Sequence, residues 1–400
     1  MQFSLSEEQQ LIQASALDWL AGNYDFRQRA AGVHRDGGAP GVWQAFAQLG
    51  WLGLPIAEAW GGSGAGPLES GLLMQAFGHH LVVEPYHGAV LLAARALELA
   101  GTDRQRDRWL ARVVDGTARL ALAWAEPGDT LPWQPRRTIA RRNGRQWQLD
   151  GHKQLVRGAA GAAQWLVAAS DADDPAVQRL FLVHPAQSGL RVDGYDTTDG
   201  GRAADLAIDG LLLDDEALVG GGADITPVVH RVLAEGLVAR CWEAAGTMQA
   251  VLEQTAAYTA ERKQFGQSIA SFQVVQHRLA EMAVQCAEAQ AACEMAAMRL
   301  AHDAGDAGDA SLLAARAMSK VGRAARFVGQ EAVQLHGAMG VCEELPVAAT
   351  FRALLAFRHE DGSDGSHAAW LGRATLASGE YGRSQTLRVT AGAPLEGVSA

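Results

Sequence analysis

The chain has 400 residues, 48% of them hydrophobic and 20% charged, which suffices for two or three packed domains with a large core. The formal net charge of −11 and the absence of a strongly basic block argue against nucleic acid as a partner, because phosphate binding needs clustered Lys and Arg. Four cysteines without a Cys-x-x-Cys pair argue against a disulfide scaffold, and no metal site is predicted.

The chain begins MQFSLSEEQQLIQ, which lacks the apolar core of a signal peptide. No stretch approaches 18 uninterrupted apolar residues, so no membrane span is expected. We therefore expect a cytoplasmic protein.

Residues 1–118 predict an N-terminal helical domain. Ser6 is placed to cap a first helix, which has acidic residues in its first turn and apolar residues at helical spacing. Further helices are predicted in VWQAFAQLGWLGLP, LESGLLMQAFGHHLVVEP and GAVLLAARALELAG, the last ending at Gly101.

Residues 119–219 predict a middle β domain. In RTIARRNGRQWQLDG, alternating residues flank Asn143-Gly144, which is a strong hairpin signal. QWLVAAS, RLFLVHP and ADLAIDGLLL are short apolar or alternating runs separated by Gly, Asp and Pro, as expected of strands.

Residues 220–384 predict a C-terminal helical bundle, and residues 385–400 a disordered tail. A broad apolar stripe with few charges is typical of a bundle helix; it comprises Leu279, Met282, Cys286, Cys293 and Leu300. Helices, then strands, then helices define an α+β arrangement.

Two runs, one rich in glycine and one containing histidines, resemble functional motifs, but their sequence contexts argue against those functions. GGSGAG (61–66) has no strand before it, so it is interpreted as a plain loop rather than a dinucleotide loop. HHLVVEP (79–85) has Glu and Pro where a His-dependent acyltransferase would have Asp and Gly, and it lies in a helical segment.

Two C-terminal segments are more specific. Alone, ERKQFGQSIASFQVVQHRLAEM (261–282) is a polar helix pair, and EAVQLHGAMGVCEELP (331–346) is a helix ended by glycine. Together, after a β domain, they resemble the two signature regions of the acyl-CoA dehydrogenase family. LGWLGLPIAEAWGG, AWAEPG and LDGHK are similar to further motifs of that family, so the resemblance spans the whole chain.

The resemblance implies an N-terminal helical domain, a β-barrel or sandwich domain and a C-terminal four-helix bundle. It implies FAD as cofactor and an acyl-CoA thioester as substrate. A carboxylate takes the α-proton while hydride passes to flavin N5. It further implies a dimer or tetramer, homomeric or heteromeric, with electron-transfer flavoprotein or a similar acceptor as redox partner.

The same resemblance assigns the cofactor residues. Arg262 would pair with the FAD pyrophosphate, because its fixed guanidinium fork suits two phosphate oxygens. The other cofactor positions are Phe265, Gln273, Gln334, Gly337, Ala338, Trp124, Ala125, Leu155 and Ser363. Gln334, Gly337 and Ala338 would hold the adenosine end of an FAD bound mostly by the neighbouring subunit. Gly362 and Arg373 are assigned to the substrate side.

The run HEDGSDGSH (359–367) is by itself a turn sequence. In the family, the catalytic carboxylate lies fifteen residues after the proline of the second signature, and that position after Pro346 is Asp361. Some relatives place the base on the helix before the first signature, where this chain has Gly236 beside Glu235. Asp361 is the preferred base and Glu235 the alternative.

The chain also departs from the family pattern. Ala125 replaces a flavin-contacting Thr, and Leu155-Val156-Arg157-Gly158 replaces W-I-T-N, which removes an aromatic wall and a hydroxyl that contacts N5. Such losses resemble the small subunits of heteromeric acyl-CoA dehydrogenases of the pimeloyl-CoA or steroid-side-chain type. Two hypotheses remain open: a catalytic subunit, or a structural subunit that completes a companion's FAD site.

Overall fold

Capping residues determine where the N-terminal helices begin. The computed structural model describes residues 4–27, 29, 41–302 and 307–378, and in it Ser6 caps helix α1 (Glu7–Asn23) in a capping box with Gln9, as the sequence predicts. The other helices of this region are α2 (Val42–Gln48), α3 (Pro67–His79), α4 (Arg95–Ala100) and α5 (Asp103–Val114). A π-helical segment, His87–Ala94, leads into α4 where the sequence indicated an ordinary helix.

Aromatic rings join these helices. The rings of Phe46 and Phe77 stack at 5.1 Å between centroids, and Phe77 meets Tyr86 edge to face at 5.2 Å. Trp19 and Trp51 extend the cluster. Aromatic pairs of this kind contribute roughly 0.5–1.5 kcal/mol each beyond their burial. The cluster therefore stabilises the packing of the N-terminal helices against one another.

The middle of the chain forms one seven-stranded mixed sheet. Its strands are β1 (Leu120–Ala123), β2 (Ile139–Asn143), β3 (Gln146–Arg157), β4 (Gln164–Asp171), β5 (Gln178–Val183), β6 (Leu190–Asp196) and β7 (Arg202–Asp214). The order is β1-β4-β2-β3-β7-β6, with β5 paired to β4. The predicted Asn143-Gly144 hairpin joins β2 to β3, and Gly144 has the positive φ that such a turn requires.

The C-terminal part is a helical bundle. Helix α6 (Thr226–Glu261) is its buried centre and packs against α7 (Gln273–His302) and α8 (Ala307–His336). Helices α9 (Pro346–Glu360) and α10 (Asp364–Ser378) pack on α8. A two-stranded hairpin, β8 (Lys263–Gln264) and β9 (Gln267–Ser268), separates α6 from α7.

The predicted fold class, helical N-terminal region, β domain and C-terminal helical bundle, is confirmed. Four of the five predicted stripe residues on α7 are buried, and Leu279 is partly buried. The predicted tail, residues 385–400, lies outside the described residues. Among the helices described, none is long and apolar enough to cross a bilayer.

Candidate active site

A buried ion pair joins the segments AWAEPG and LDGHK. Lys153 of β3 lies 2.6 Å from Glu126, and both side chains are at most 2% exposed. Backbone amides of Arg137 and Thr138 also donate to the Glu126 carboxylate. Burial alone would raise the pKa of Glu126, but the Lys153 ammonium and these hydrogen bonds hold it at about 2. The pair therefore fixes the end of β1 against β3.

Strand β3 is irregular where the sequence departs from the family. The pairing of β3 with β7 shifts register between Lys153 and Val156, and Leu155 within this bulge has φ +52°. Its amide donates to Asp205 at 2.9 Å. A non-glycine residue in this conformation stores strain of about 1–3 kcal/mol, and bulges beside a site re-aim the next side chains. Here the re-aimed side chain is Arg157.

The turn after α9 carries Asp361. His367 of α10 donates from Nε2 to the Asp361 carbonyl at 2.8 Å, and Gly362 has φ +86°. A side chain at Gly362 would come within 2.4 Å of the Thr130 carbonyl, so the turn rests directly on the segment that follows β1. Ser363 accepts a hydrogen bond from Ser366 N at the start of α10. The turn is therefore held from both sides.

A narrow cleft with a cavity volume of about 70 Å³ lies between the N-terminal helices, the β6–β7 turn and the bundle. This volume is far below the roughly 300–1,000 Å³ of typical ligand pockets, so a ligand would require the cleft to widen. Met74, Phe77, Leu354 and Phe357 supply an apolar part of its wall.

Another part of the cleft wall is formed by Arg157, Asp199, Arg240 and Glu243, charged side chains that join Glu360 behind the wall in a network that the sequence analysis did not predict. Arg157 contacts Glu360 through Nε at 3.1 Å and through Nη2, and contacts Asp199 at 2.7 Å. Arg240 of α6 joins Glu360 at 2.9 Å and Glu243 at 2.5 Å. Every member is at most 19% exposed.

The network separates the two neighbouring carboxylates at the end of α9. Glu360 is held by two guanidinium groups, whereas the Asp361 carboxylate accepts no hydrogen bond from the described residues. Burial and, secondly, the Glu360 charge raise the pKa of Asp361 to about 6, although Arg240 and Arg157 oppose the rise. A carboxylate with this pKa is suited to general-base chemistry near neutral pH.

The alternative base lies elsewhere. Glu235 lines a separate small cavity with Pro55 and Leu91, where it pairs with Arg231 at 2.6 Å and Arg95 at 3.5 Å. Neither candidate base lines the cleft itself; Asp361 follows Glu360, which pairs with the cleft residues Arg157 and Arg240, whereas Glu235 belongs to the separate cavity. Arg373 is exposed on α10, also away from the cleft.

The remaining candidate residues divide into two surfaces. Trp124, Ala125, Leu155, Gly362 and Ser363 lie at the junction of the β sheet and the α9–α10 turn, and Trp124 is buried there with its Nε1 donating to the Pro132 carbonyl at 2.5 Å. The others are exposed at the far side of the bundle: Arg262, Phe265, Gln273, Gln334, Gly337 and Ala338. We call these the inner half-site and the outer half-site.

The outer half-site presents unpaired polar groups and bare apolar surface. Phe265 is 92% exposed, and Arg262 makes no ion pair with the described residues. Val341 is also 67% exposed. An exposed cation beside exposed amides and an aromatic ring is a donor set that suits a phosphate-bearing ligand.

Comparisons with known proteins agree with the fold described above. Residues 6–117 match the family model for the acyl-CoA dehydrogenase N-terminal domain, and residues 226–376 match the model for the acyl-CoA dehydrogenase C-terminal domain. The fold and cleft thus define an oxidoreductase of the flavin-dependent class. The chain belongs to the acyl-CoA dehydrogenase family, whose members use FAD and act on acyl-CoA thioesters.

Individual relatives have low sequence identity to this chain, but the matches cover most of its length. The chain is 33% identical to the acyl-CoA dehydrogenase FadE28 of Mycobacterium tuberculosis over 268 residues, which is 67% of this chain and 73% of that protein. It is 27% identical to the probable acyl-CoA dehydrogenase YngJ of Bacillus subtilis, over 88% of this chain and 93% of the relative. Among solved structures, the ChsE4–ChsE5 complex of Mycobacterium tuberculosis contains a chain with a TM-score of 0.84 and 26% identity, covering 94% of this chain and 99% of that one.

The residues present fit a flavin cofactor at two places. The outer half-site offers Arg262 and exposed amides to phosphate and adenosine groups. In the inner half-site, two buried polar atoms, Trp133 Nε1 and His367 Nδ1, find no partner among the described residues. Trp43 Nε1 and Trp242 Nε1 also lack a partner elsewhere in the described residues, so it is the place of Trp133 and His367 in the inner half-site that distinguishes these two as positions where a ligand or water would supply the partner.

Proposed function

We propose that this chain catalyses α,β-dehydrogenation of an acyl-CoA thioester with Asp361 as the base. The observation that carries the proposal is the carboxylate pair at the end of α9. Arg157 and Arg240 hold Glu360, while Asp361 keeps a free carboxylate whose pKa is raised to about 6. At neutral pH Asp361 is therefore largely ionised, yet basic enough to accept a proton from carbon.

The residues of the chain divide the work. Asp361 accepts the α-proton, and its backbone is positioned by His367 and by the close contact of Gly362 with Thr130. Bound FAD supplies the hydride acceptor, N5. Arg262, Gln273 and Gln334 would hold the phosphates and adenosine of a cofactor bound mostly by a neighbouring subunit, and the junction around Trp124 and Ser363 would hold the flavin end of this chain's own cofactor. The apolar wall formed by Phe77 and Phe357 excludes water from the acyl group.

Redox partner and assembly belong to the same proposal. The exposed outer half-site supports an oligomer of at least two subunits, because Phe265 and Val341 expose apolar surface beside Arg262. Electron-transfer flavoprotein or a similar acceptor would reoxidise the cofactor. Light scattering of the FAD-loaded protein tests the assembly; a stable monomer that retains FAD would contradict it.

A second candidate function is favoured by Arg157. This residue stands where the resemblance places the hydroxyl that contacts N5, and its guanidinium reaches across to Glu360, next to the base. Opening that ion pair leaves Arg157 with Asp199 and Glu360 with Arg240, but each buried charge loses one partner, which costs on the order of 1–3 kcal/mol. The alternative is therefore a subunit whose inner half-site stays closed and whose outer half-site completes a companion's FAD site.

One experiment separates the two. The chain is purified alone, its flavin content per chain is measured, and flavin bleaching is followed after acyl-CoA thioesters are added without oxygen. Bound flavin that bleaches supports the catalytic subunit. A protein that takes up no FAD, even after reconstitution, supports the structural subunit and contradicts Asp361 as an active base.

A further inference from the structure

Two orphaned polar atoms lie beside the turn that carries Asp361. Trp133 belongs to the segment after β1, and its ring meets His367 edge to face at 5.4 Å between centroids. Trp133 Nε1 and His367 Nδ1 are both buried, and neither has a partner among the described residues. His367 is fully buried.

The tautomer of His367 is determined by its other contact. Nε2 lies 2.8 Å from the Asp361 carbonyl, which can only accept, so Nε2 carries the proton. Burial lowers the pKa of His367, which keeps the ring neutral. Nδ1 is therefore an acceptor, while the indole Nε1 of Trp133 is a donor. An unpaired donor and an unpaired acceptor thus belong to two rings in edge-to-face contact.

The position of Trp133 and His367 limits the kinds of ligand group that could bind to them. Trp133 follows the stretch that contains Trp124 and Ala125, and His367 follows Ser363 at the turn; these are the two segments of the inner half-site. The Thr130–Gly362 contact shows that the two segments meet here. A hydroxyl group is the common ligand group that both accepts and donates one hydrogen bond, and an alkyl chain can do neither.

We propose that Trp133 and His367 form a hydroxyl-binding pair for the polyol chain of the flavin cofactor, with Trp133 Nε1–H donating to one ribityl hydroxyl and His367 Nδ1 accepting from it. The inference rests on the proposed function, because it needs FAD in the inner half-site. It also gives His367 two tasks: it positions Asp361 through Nε2 and the cofactor through Nδ1. Bound flavin and base are then held by one imidazole ring.

The test compares Trp133→Phe with Trp370→Phe. The Trp370 ring packs on the Trp133 ring at 5.0 Å between centroids. Trp370→Phe therefore also removes one indole N–H from the same aromatic cluster, but Trp370 Nε1 is not one of the buried atoms without a partner. FAD affinity is measured by titration of the apoprotein, and thermal unfolding is recorded with and without FAD. Trp133→Phe should weaken FAD binding by roughly two- to tenfold, the scale of one neutral hydrogen bond, and Trp370→Phe should not.

In Trp133→Phe, the melting temperature of the apoprotein should not fall, although the affinity for FAD should. Because Trp133→Phe removes an unsatisfied buried donor, the apoprotein should melt at the same or a higher temperature than the wild type, while the gain on adding FAD becomes smaller. A FAD analogue with a deoxygenated side chain should bind equally well to the wild type and to Trp133→Phe.

Each other outcome overturns the proposal. If Trp133→Phe binds FAD as the wild type does, the orphaned atoms serve a water or nothing. If both Trp variants weaken binding equally, the effect is packing. If Arg262→Ala releases FAD while Trp133→Phe binds FAD with the affinity of the wild type, the inference fails but the proposed function stands. If the wild type binds no FAD, both fail.

Discussion

Arg157 and Glu360 are joined by two hydrogen bonds, so that the end of strand β3 touches the end of helix α9 directly. One partner lies where the resemblance places a flavin contact, and the other immediately precedes the candidate base. The reacting carbons of a thioester would have to lie between these two walls. Whether the pair opens on ligand binding is therefore the central question for this site.

The first prediction concerns the base. Asp361→Asn keeps the shape and removes the negative charge, so FAD should stay bound while flavin reduction by the true acyl-CoA falls roughly 10² or more. Stopped-flow absorbance measures the rate. Glu235→Gln is the contrast, because Glu235 lies in a separate cavity paired with Arg95 and Arg231. If Glu235→Gln abolishes reduction and Asp361→Asn does not, the base is on helix α6.

The second prediction follows from the raised pKa of Asp361. The protonated carboxyl cannot accept the α-proton, so the rate of reduction should fall about tenfold per pH unit below about pH 6 and level off above it. Stability should change in the opposite sense. The folded protein holds this proton more tightly than the unfolded chain, so the contribution of Asp361 to stability declines as pH rises from about 4 to about 6.

Denaturant unfolding of Asp361→Asn tests that sign. Because the variant has no carboxylate to bury, it should be at least as stable as the wild type at neutral pH, and the difference should vanish in acid. A variant that is less stable than the wild type at neutral pH would show that the Asp361 charge is compensated in the fold.

The third prediction addresses the Arg157–Glu360 pair. Arg157→Met leaves Glu360 paired with Arg240 alone, and Glu360→Gln leaves Arg157 paired with Asp199 alone, so each variant should lower the free energy of unfolding by about 1–3 kcal/mol. The double variant should lose less than the sum of the two, because the interaction is removed only once. Additive losses in urea unfolding would mean that the two side chains are not coupled in solution.

The fourth prediction concerns the buried pair Glu126–Lys153. Lys153→Met should destabilise the fold by about 3–5 kcal/mol at pH 7, because the buried Glu126 carboxylate then keeps only the more distant Arg137, at 3.5 Å, as a cation. The pKa of Glu126 is lowered in the fold, so its stabilising effect is present above about pH 4.5 and is lost as pH falls towards about 2. Arg141→Met removes an exposed ion pair with Asp150 and serves as the control, with little expected loss.

The fifth prediction tests the outer half-site. Arg262→Ala should release FAD, since a charge-assisted phosphate contact is lost, while the helical circular dichroism stays unchanged. Lys263→Ala changes the neighbouring exposed cation and should retain FAD. Equal FAD affinity in the wild type and Arg262→Ala would refute the assignment.

Much of the fold could be predicted because its signals are local. The capping box at Ser6 and Gln9, the Asn143-Gly144 turn and the alternating runs of β4 and β7 each specify their own segment. The seven strands form one connected sheet whose order mixes parallel and antiparallel neighbours. That order depends on contacts distant in sequence, which local patterns do not encode.

The site was predictable only in part, for the same reason. Asp361 could be located by its spacing from Pro346. The charged network could not, because Arg157, Asp199, Arg240 and Glu360 come from four separate elements of the chain and look like surface residues in isolation. Likewise, the sequence around His367 did not indicate a role at the site. That role depends on the contact of its ring with Trp133 and on its hydrogen bond to the Asp361 carbonyl.

Helix α9 has a consequence for communication between subunits. Its fifteen residues span about 22 Å at 1.5 Å per residue. The helix packs near one end against Gly337–Val341 in the outer half-site, and its other end carries Glu360 and Asp361. Helix α9 thus connects the surface where a neighbour's cofactor would lie to the turn that carries Asp361, the proposed base. In an oligomer, occupancy of one flavin site would bias the other through α9, and sequential rather than equivalent filling of the sites is the expected signature.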